Sequence, residues 1–364
     1  HPPQRLPRRS PLAPRTECMG SQRAFHRSDR STLVTKYLLR RFVNYAFLTV
    51  VATVFAYIAA GSFFYPRRRW LNQNPPIPEA SIDAALNELN MNDKVPILQR
   101  TWTWLSNIVV KPWSQKLGKD ISGQWVIDQM AMRAGVSLRL LIAGAILGAI
   151  IGVILGVWGA VRQYKLSDQV VSYASYVLIS TPTFVGGLLL MVVATKLNQS
   201  LGTQLIRFSG SYTPTYHAQG GMTAFLDSVN HLILPTIVLA AFGAAGYSRY
   251  QRSIMLDVLG SDFIRTARSK GATRNHALVK HGVRVALIPM STYFAYSFGT
   301  LVAGAAFLEM IFSWAGMGQY GINAVQQSDV NALAGNVCFT SIVILFSSML
   351  SEVLYAALDP RVRV

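Results

Sequence analysis

Charged groups, acids in particular, and cysteine are scarce in this sequence. Of its 364 residues only 14% are Asp, Glu, Lys or Arg, where an ordinary soluble domain carries roughly 25%. Hydrophobic residues make up 51% and the mean hydropathy is +0.31. That balance excludes a soluble globular enzyme. Two cysteines, Cys18 in a polar stretch and Cys338 in an apolar run, exclude a disulfide-built secreted fold. No G-x-x-x-x-G-K-[ST] loop occurs, so the chain does not hold ATP in that manner. There is no HExxH, GxSxG or paired metal-ligand spacing, and the six histidines are scattered. Enzymatic chemistry has no candidate site, and no metal site is expected.

What the sequence does have is long apolar runs. Six of them lie at about 42–65, 136–161, 169–195, 231–248, 286–311 and 333–358. Each is near the ~20 residues that a helix needs to cross a bilayer. The expected fold class is an all-α membrane protein with six transmembrane helices. Residues 1–35 read as a basic disordered tail. Met19 is a candidate native start, which leaves 1–18 as a candidate leader. Residues 36–65 hold the first span and 66–133 a polar helical insertion. Residues 134–358 hold the other five spans and a long basic loop at 249–285, and 359–364 form a short tail.

The net charge of +18 then reports orientation rather than nucleic-acid binding, because Lys and Arg concentrate on the cytoplasmic side. With the N-terminus inside, the inner pieces hold 22 Lys and Arg against six acids, and the outer pieces 11 against eight. Both termini and the 249–285 loop are therefore expected in the cytoplasm, with the insertion outside. Membrane lipid is an expected partner; nucleic acid is not.

In the insertion, the prolines of YPRRRW and NPPIPE stop the first span. Ser81 to Leu89 and Ile97 to Val109 read as short amphipathic helices. Five of the seven tryptophans fall here: Trp70, Trp102, Trp104, Trp113 and Trp125. They suit a membrane surface, where indoles are favoured, and also a platform for an external protein.

Within the spans, Gly144, Gly148, Gly152 and Gly156 repeat every four residues and line one helix face. Small residues so spaced let a second helix approach closely, here within one subunit. Pro182, Pro235 and Pro289 are candidate kinks. Ionisable groups in a bilayer are expensive. Arg139 is close enough to its helix end to snorkel, and Glu352 is within reach of a basic loop. Glu309, near the outer end of span five, is read with Phe312 and Trp314 as a candidate pathway or outer-mouth group.

The 249–285 loop is far longer than a helix connection needs. Ser261 is a candidate N-cap, and Asp262 follows in the first turn, where a carboxylate complements the helix dipole. The short helix DFIRTARSK meets Gly271, suited to a left-handed C′ position. Thr273 can cap a second helix through Val279 and Lys280, before His281 and Gly282. His231 and His281 flank helix ends and read as hydrogen-bonded structural residues.

The stretch DFIRTARSKGATRNHALVKHGVRVALIP (262–289) resembles the cytoplasmic coupling loop of bacterial ABC-importer permeases, in their oligopeptide, dipeptide and nickel branch. Asp262, Arg265, Thr266, Ala267, Arg268, Lys270, Gly271, His281, Arg284, Ala286, Leu287 and Pro289 fit that pattern. FLEMIFSWAGMGQY (307–320), LYAALDPRVR (354–363), ISTPTF (179–184) and HLILP (231–235) are similar to the same branch. The resemblance covers about 36–364 and is to the first, B-type permease subunit. There are two departures. YPRRRW, with Arg67, Arg68 and Arg69, replaces the usual L-P-G-D-P-like turn, and Ala315 replaces a proline in S-W-P-G. Without that proline the outer loop is expected to be slacker.

The resemblance implies a type I importer permease bundle in the bacterial plasma (inner) membrane, moving peptides and catalysing nothing itself. Its implied partners are a second homologous permease, two ABC ATPase subunits holding ATP and Mg, and an extracytoplasmic peptide-binding protein. Asp262, Phe263, Arg265, Thr266, Ala267, Lys270 and Gly271 would form the ATPase-docking coupling helix. In that role Gly271 lets the loop turn and Ala267 allows close approach. A same-family importer of nickel or another small solute would need concentrated His, Cys or carboxylate in the spans. An ion-coupled secondary transporter would need inverted repeats and midplane ionisable residues. Neither pattern is evident.

Overall fold

The structure, a computed structural model, describes the backbone of residues 19–71 and 74–358, with side chains from Leu39 onward at all but a few helical positions. The 1–18 leader and the 359–364 tail lie outside the described residues. The chain divides into two compact units, His1–Tyr45 and Ala46–Val364. In the first, the backbone is helical from Met19, so residues 19–35 differ from the expected disorder. No proline interrupts the sequence between Pro14 and Pro66, and Arg41 donates to the Tyr45 hydroxyl at 3.2 Å.

In chain order the helices are α1 (Met19–Phe63), α2 (Arg68–Leu71), α3 (Glu79–Glu88), α4 (Ile97–Val110), α5 (Val126–Val161), α6 (Leu166–Ser180) and α7 (Thr183–Leu201). There follow α8 (Pro214–Gln219), α9 (Gly221–Leu259), α10 (Asp262–Ser269), α11 (Arg274–Ala277), α12 (Arg284–Ile311), α13 (Met317–Gln326) and α14 (Val330–Leu358). No strand forms among the described residues. Among the described residues five helices are long and apolar enough to span a membrane, and a bent pair, Asn275–Ala295 with Ser297–Ile311, makes a sixth if the two halves form one span.

Two spans differ from the sequence reading. The run at 169–195 is broken at Thr181–Pro182 into α6 and α7, and only Thr183–Leu201 is a candidate span. Proline has no N–H and forces the residue before it out of the helical region. Thr181 is accordingly extended, at φ −97° and ψ 132°. The run at 231–248 is the middle of a 39-residue helix that carries Pro235 inside it. His231 is thus interior to α9, not at a helix end.

Helices α5 and α9 form the central packed pair, and the glycine stripe is the reason. A Cβ on Gly156 would sit 2.6 Å from the Ser248 carbonyl oxygen, one on Gly148 3.2 Å from that of Ala240, and one on Gly144 2.7 Å from Leu239 Cβ. At Gly152 it would collide with Tyr247 Cβ. A core of Leu140, Leu141, Leu239, Leu301, Leu308 and Phe312 fills the bundle beside this contact.

The insertion has its own core, in which Ile82, Leu86, Met91 and Trp104 pack on Tyr57 of α1 and on Val330 and Ala334 of α14. Arg67, from the departing RRR turn, is its electrostatic centre. It is 4% exposed and reaches Asp83 at 2.5 Å and Asp93 at 2.8 Å. Asp83 sits below the usual carboxylate range, held there by Lys94 and then Arg67. Arg69 donates to the Ile121 carbonyl at 3.0 Å. Asn331 donates to the Leu89 and Lys119 carbonyls at 2.9 and 2.8 Å, and Ile121 N–H donates to Asp329 at 2.6 Å. These bonds tie the insertion to the start of α14. Trp104 is buried and stacked on Tyr57 with centroids 4.6 Å apart, so it is core rather than surface.

Candidate functional site

The basic loop builds a small protruding element. Its base is a buried ion pair that the sequence reading did not single out: Arg252 of α9 donates through Nε and Nη2 to both oxygens of Asp168 in α6, each at 2.7 Å. Asp168 also accepts the Tyr164 N–H at 3.1 Å. Arg252 holds the Asp168 carboxyl below its ordinary range, against the opposing effect of burial. A Cβ on Gly159 would approach Asp168 Oδ1 to 2.9 Å, so only glycine leaves the carboxylate its place. Charge placement on two inner loops was the one sequence signal for this pair.

Beyond that base, Ser261 occupies the N-cap position of α10. Its hydroxyl donates backward to the Val258 carbonyl at 2.5 Å, and no side-chain cap bond reaches α10. The expected serine cap is therefore absent, since the hydroxyl joins the Ser261 N–H on the Val258 carbonyl at the end of α9. Asp262 stands in the first turn as expected. A single side chain, Ile264, seats α10, packing with Met255, Val258, Leu278 and Ala286. Gly271 ends the helix at φ +91°, a conformation that disfavours any residue with a Cβ. Thr273 Oγ1 accepts the His276 N–H at 3.3 Å and caps the next turn as expected. From there α11 continues through a wide π turn, Leu278–Val283, into α12 without the break expected at His281–Gly282. Gly282 packs inside that turn, where a Cβ would lie 3.2 Å from Met255 Cε.

The helical phase divides the expected docking residues into two sets. Positions 264 and 267 share one side of α10, at ~100° per residue. Ala267 is accordingly half-buried on the seated side, beneath rather than on the protruding surface. Asp262, Phe263, Arg265, Thr266 and Lys270 are exposed. Phe263 is an exposed aromatic among polar and charged groups.

On the insertion side, a carboxylate organises the turn after α12. Glu309 is 1% exposed, accepts the Ser137 hydroxyl at 2.5 Å and accepts the Gln319 N–H at 3.1 Å. Ser137 in turn accepts the Met317 N–H at 2.7 Å. Glu309 thereby caps the start of α13. Gly316 is needed because a Cβ there would strike the Glu309 carboxylate. Trp314 N–H, beside Ala315, also bonds the Glu309 carbonyl at 2.7 Å. Phe312 and Trp314 are buried in the same turn. Glu309 lines a partly open cavity of about 180 Å³ with Ser137, Leu141, Val302, Met317 and Phe339. None of the three mouth candidates faces open solvent.

The neighbouring 203–213 loop is pinned to the same turn. Gly210 N–H donates to the Phe312 carbonyl at 2.7 Å, and Phe208 meets the Phe312 ring edge-on at 6.5 Å. Asp227 accepts from Arg207 at 2.6 Å and from Thr213 N–H at 2.5 Å. His231 lies 3.0 Å from both the Thr213 hydroxyl and the Gly210 carbonyl. It is a bonded structural residue.

A helical membrane bundle with a seated, protruding basic helix at one end and a clamped turn at the other defines the class: a subunit of a membrane transport assembly. Residues 140–364 match the family described as binding-protein-dependent transport system inner membrane component, and the chain belongs to that family. It is 45% identical over 331 residues to the oligopeptide transport system permease protein OppB of Mycobacterium tuberculosis, covering 91% of this chain and all of that one. To the oligopeptide transport system permease protein AppB of Bacillus subtilis it is 32% identical over 294 residues, 80% of this chain and 88% of the relative. The dipeptide transport system permease protein DppB of Escherichia coli is 43% identical over 139 residues, 38% of this chain and 41% of the relative. The chain is a multi-pass membrane transport component and not an enzyme.

Proposed function

We propose that this chain is one of two homologous permease subunits of an ATP-driven importer of oligopeptides or dipeptides in a bacterial plasma membrane. The names of its relatives support the substrate class. The observation that carries the coupling role is α10, a short helix seated by one buried isoleucine, with Phe263, Thr266 and Lys270 turned outward. A rigid knob of this kind transmits rigid-body motion from an ATPase groove to α9 and α12, which flank it in sequence. ATP and Mg are bound by two separate ATPase subunits, and an extracytoplasmic binding protein delivers cargo. The charge split supports an orientation with α10 and both termini in the cytoplasm and the insertion outside.

The test compares two substitutions in the assembled transporter. Phe263→Asp alters only the outward surface and should release the ATPase subunits and abolish peptide uptake at unchanged membrane levels. Ala267→Asp should act differently, by loosening α10 itself, and is read by increased amide exchange over 262–269. Retention and uptake within about twofold of wild type for Phe263→Asp, ~0.4 kcal/mol, would leave a solvated loop as the better reading.

A further inference from the structure

We infer that α4 is an interfacial helix whose exposed Leu98–Trp102–Val109 stripe is inserted in the lipid leaflet on the insertion side. Three observations on this helix converge. The first is depth. The apolar run of the first span begins at Phe42 and reaches the ~20 residues that cross the hydrocarbon core near Gly61. That is where α4 is fastened: Arg100 donates to the Gly61 carbonyl at 2.9 Å, and a Cβ on Gly61 would sit 2.5 Å from Ile97 Cδ1. Trp104 stacks on Tyr57 one turn deeper. The helix is held at the level where the membrane meets water.

The second observation is the pattern around the helix. Arg100, Thr101 and Trp104 form the buried side. The rest of the circumference is split in two by the ~100° step between residues. Leu98, Trp102 and Val109 fall together on one flank, at 77%, 74% and 80% exposure, while Leu105 between them is half-buried against the insertion core. Gln99, Thr103, Ser106 and Asn107 fall on the other, where the exposed Val110 at the end of the helix is the one apolar residue. A helix fully covered by protein has no need of a polar flank, and one in water has no use for the apolar one. A helix lying along a lipid surface needs both.

The third observation is that the stripe continues. Trp113, 73% exposed, follows it three residues after α4 ends, and Phe63 at the end of the first span is 88% exposed. Indoles favour the headgroup level. Of the five tryptophans in the insertion, Trp102 and Trp113 are the strongly exposed pair. The occupant is therefore phospholipid rather than a protein, whatever solute the transporter carries.

The experiment uses the full chain with Cys18 and Cys338 replaced by Ser, in vesicles of phosphatidylcholine and phosphatidylglycerol. Single cysteines at Leu98→Cys, Trp102→Cys and Val109→Cys, and at Gln99→Cys and Thr103→Cys, are labelled with bimane. Vesicles with chain-brominated lipid should quench the first three at least about twofold more than the last two. Equal quenching on the two flanks, or none on either, overturns the inference. As an independent measurement, a photoreactive phenylalanine at position 102 should form adducts with phospholipid. Adducts mainly with a protein, whether a second copy, a partner permease or a binding protein, overturn it as well.

Discussion

The insertion and the basic loop are both polar segments emerging from the same bundle, yet they are held in opposite ways. The insertion is cross-linked by a buried arginine, asparagine bonds to backbone and a core shared with α1 and α14. The α10 helix is seated by Ile264, and its one ion pair, Arg265 to Asp262 at 3.7 Å, is exposed. The difference teaches that one region is built as part of the rigid body, while the other stands out from it on a single buried side chain. Stability against local opening should follow that division.

The sharpest way to break the comparison is Arg67→Ala. It leaves Asp93 without its partner and Asp83 with Lys94 alone, and removes the charge-assisted bonds of a buried guanidinium, so the insertion should be clearly destabilised. Amide exchange across 79–93 should accelerate while 262–269 stays unchanged. If 79–93 exchanges at the wild-type rate, the insertion is not held by this arginine.

Next in size is a pH effect at the join between insertion and α14. Burial, with the nearby Asp120 charge, pushes the Asp329 carboxyl up to about 6, against the bonds from Ala332 and Ile121 N–H. The folded value lies above the ordinary 3.8. Its stabilising contribution is therefore fully present below 3.8 and is lost as pH rises through about 6, amounting to roughly 3 kcal/mol or less. Melting temperature should fall between those limits. The slope should flatten in Asp329→Asn, and an equal slope in both proteins would count against the assignment.

Ile264→Ala sharpens the other half of the comparison. Removing the side chain that seats α10 should cost about 2 kcal/mol. The loss should appear as faster exchange at 262–269 with no change in global melting, because the helix can undock alone. A large drop in global melting temperature would show the loop to be integral to the bundle. The smallest effect is expected from Arg265→Ala, within about 0.5 kcal/mol, since an exposed pair contributes little. A greater loss in the isolated chain would mean that the outer surface of α10 is not free.

Much of this was legible before any coordinates. The Gly144–Gly156 spacing announced a close helix contact, and Gly271 its left-handed turn, because each depends on local geometry that one residue type serves. The 79–88 and 97–110 helices followed from periodicity and bounding prolines. The 169–195 run misled because hydropathy counts apolar side chains and ignores the missing N–H of Pro182. Arg67 was visible as an unusual arginine, but its partners lie 16 and 26 residues away and no period links them.

What the sequence by itself determined is the material that must be hidden from water: the apolar spans, the glycine face, the turn at Gly271 and the kinship to a transport family. Those features are set by residue type at fixed chain spacing. Only the tertiary structure decided which charges meet. Arg252 closes on Asp168, Glu309 caps α13 from another helix, and Ala267 is turned inward while Phe263 is turned out. Such pairings depend on which helices pack together and at what rotation, and the 84-residue separation of Asp168 and Arg252 leaves no trace of that contact in local spacing.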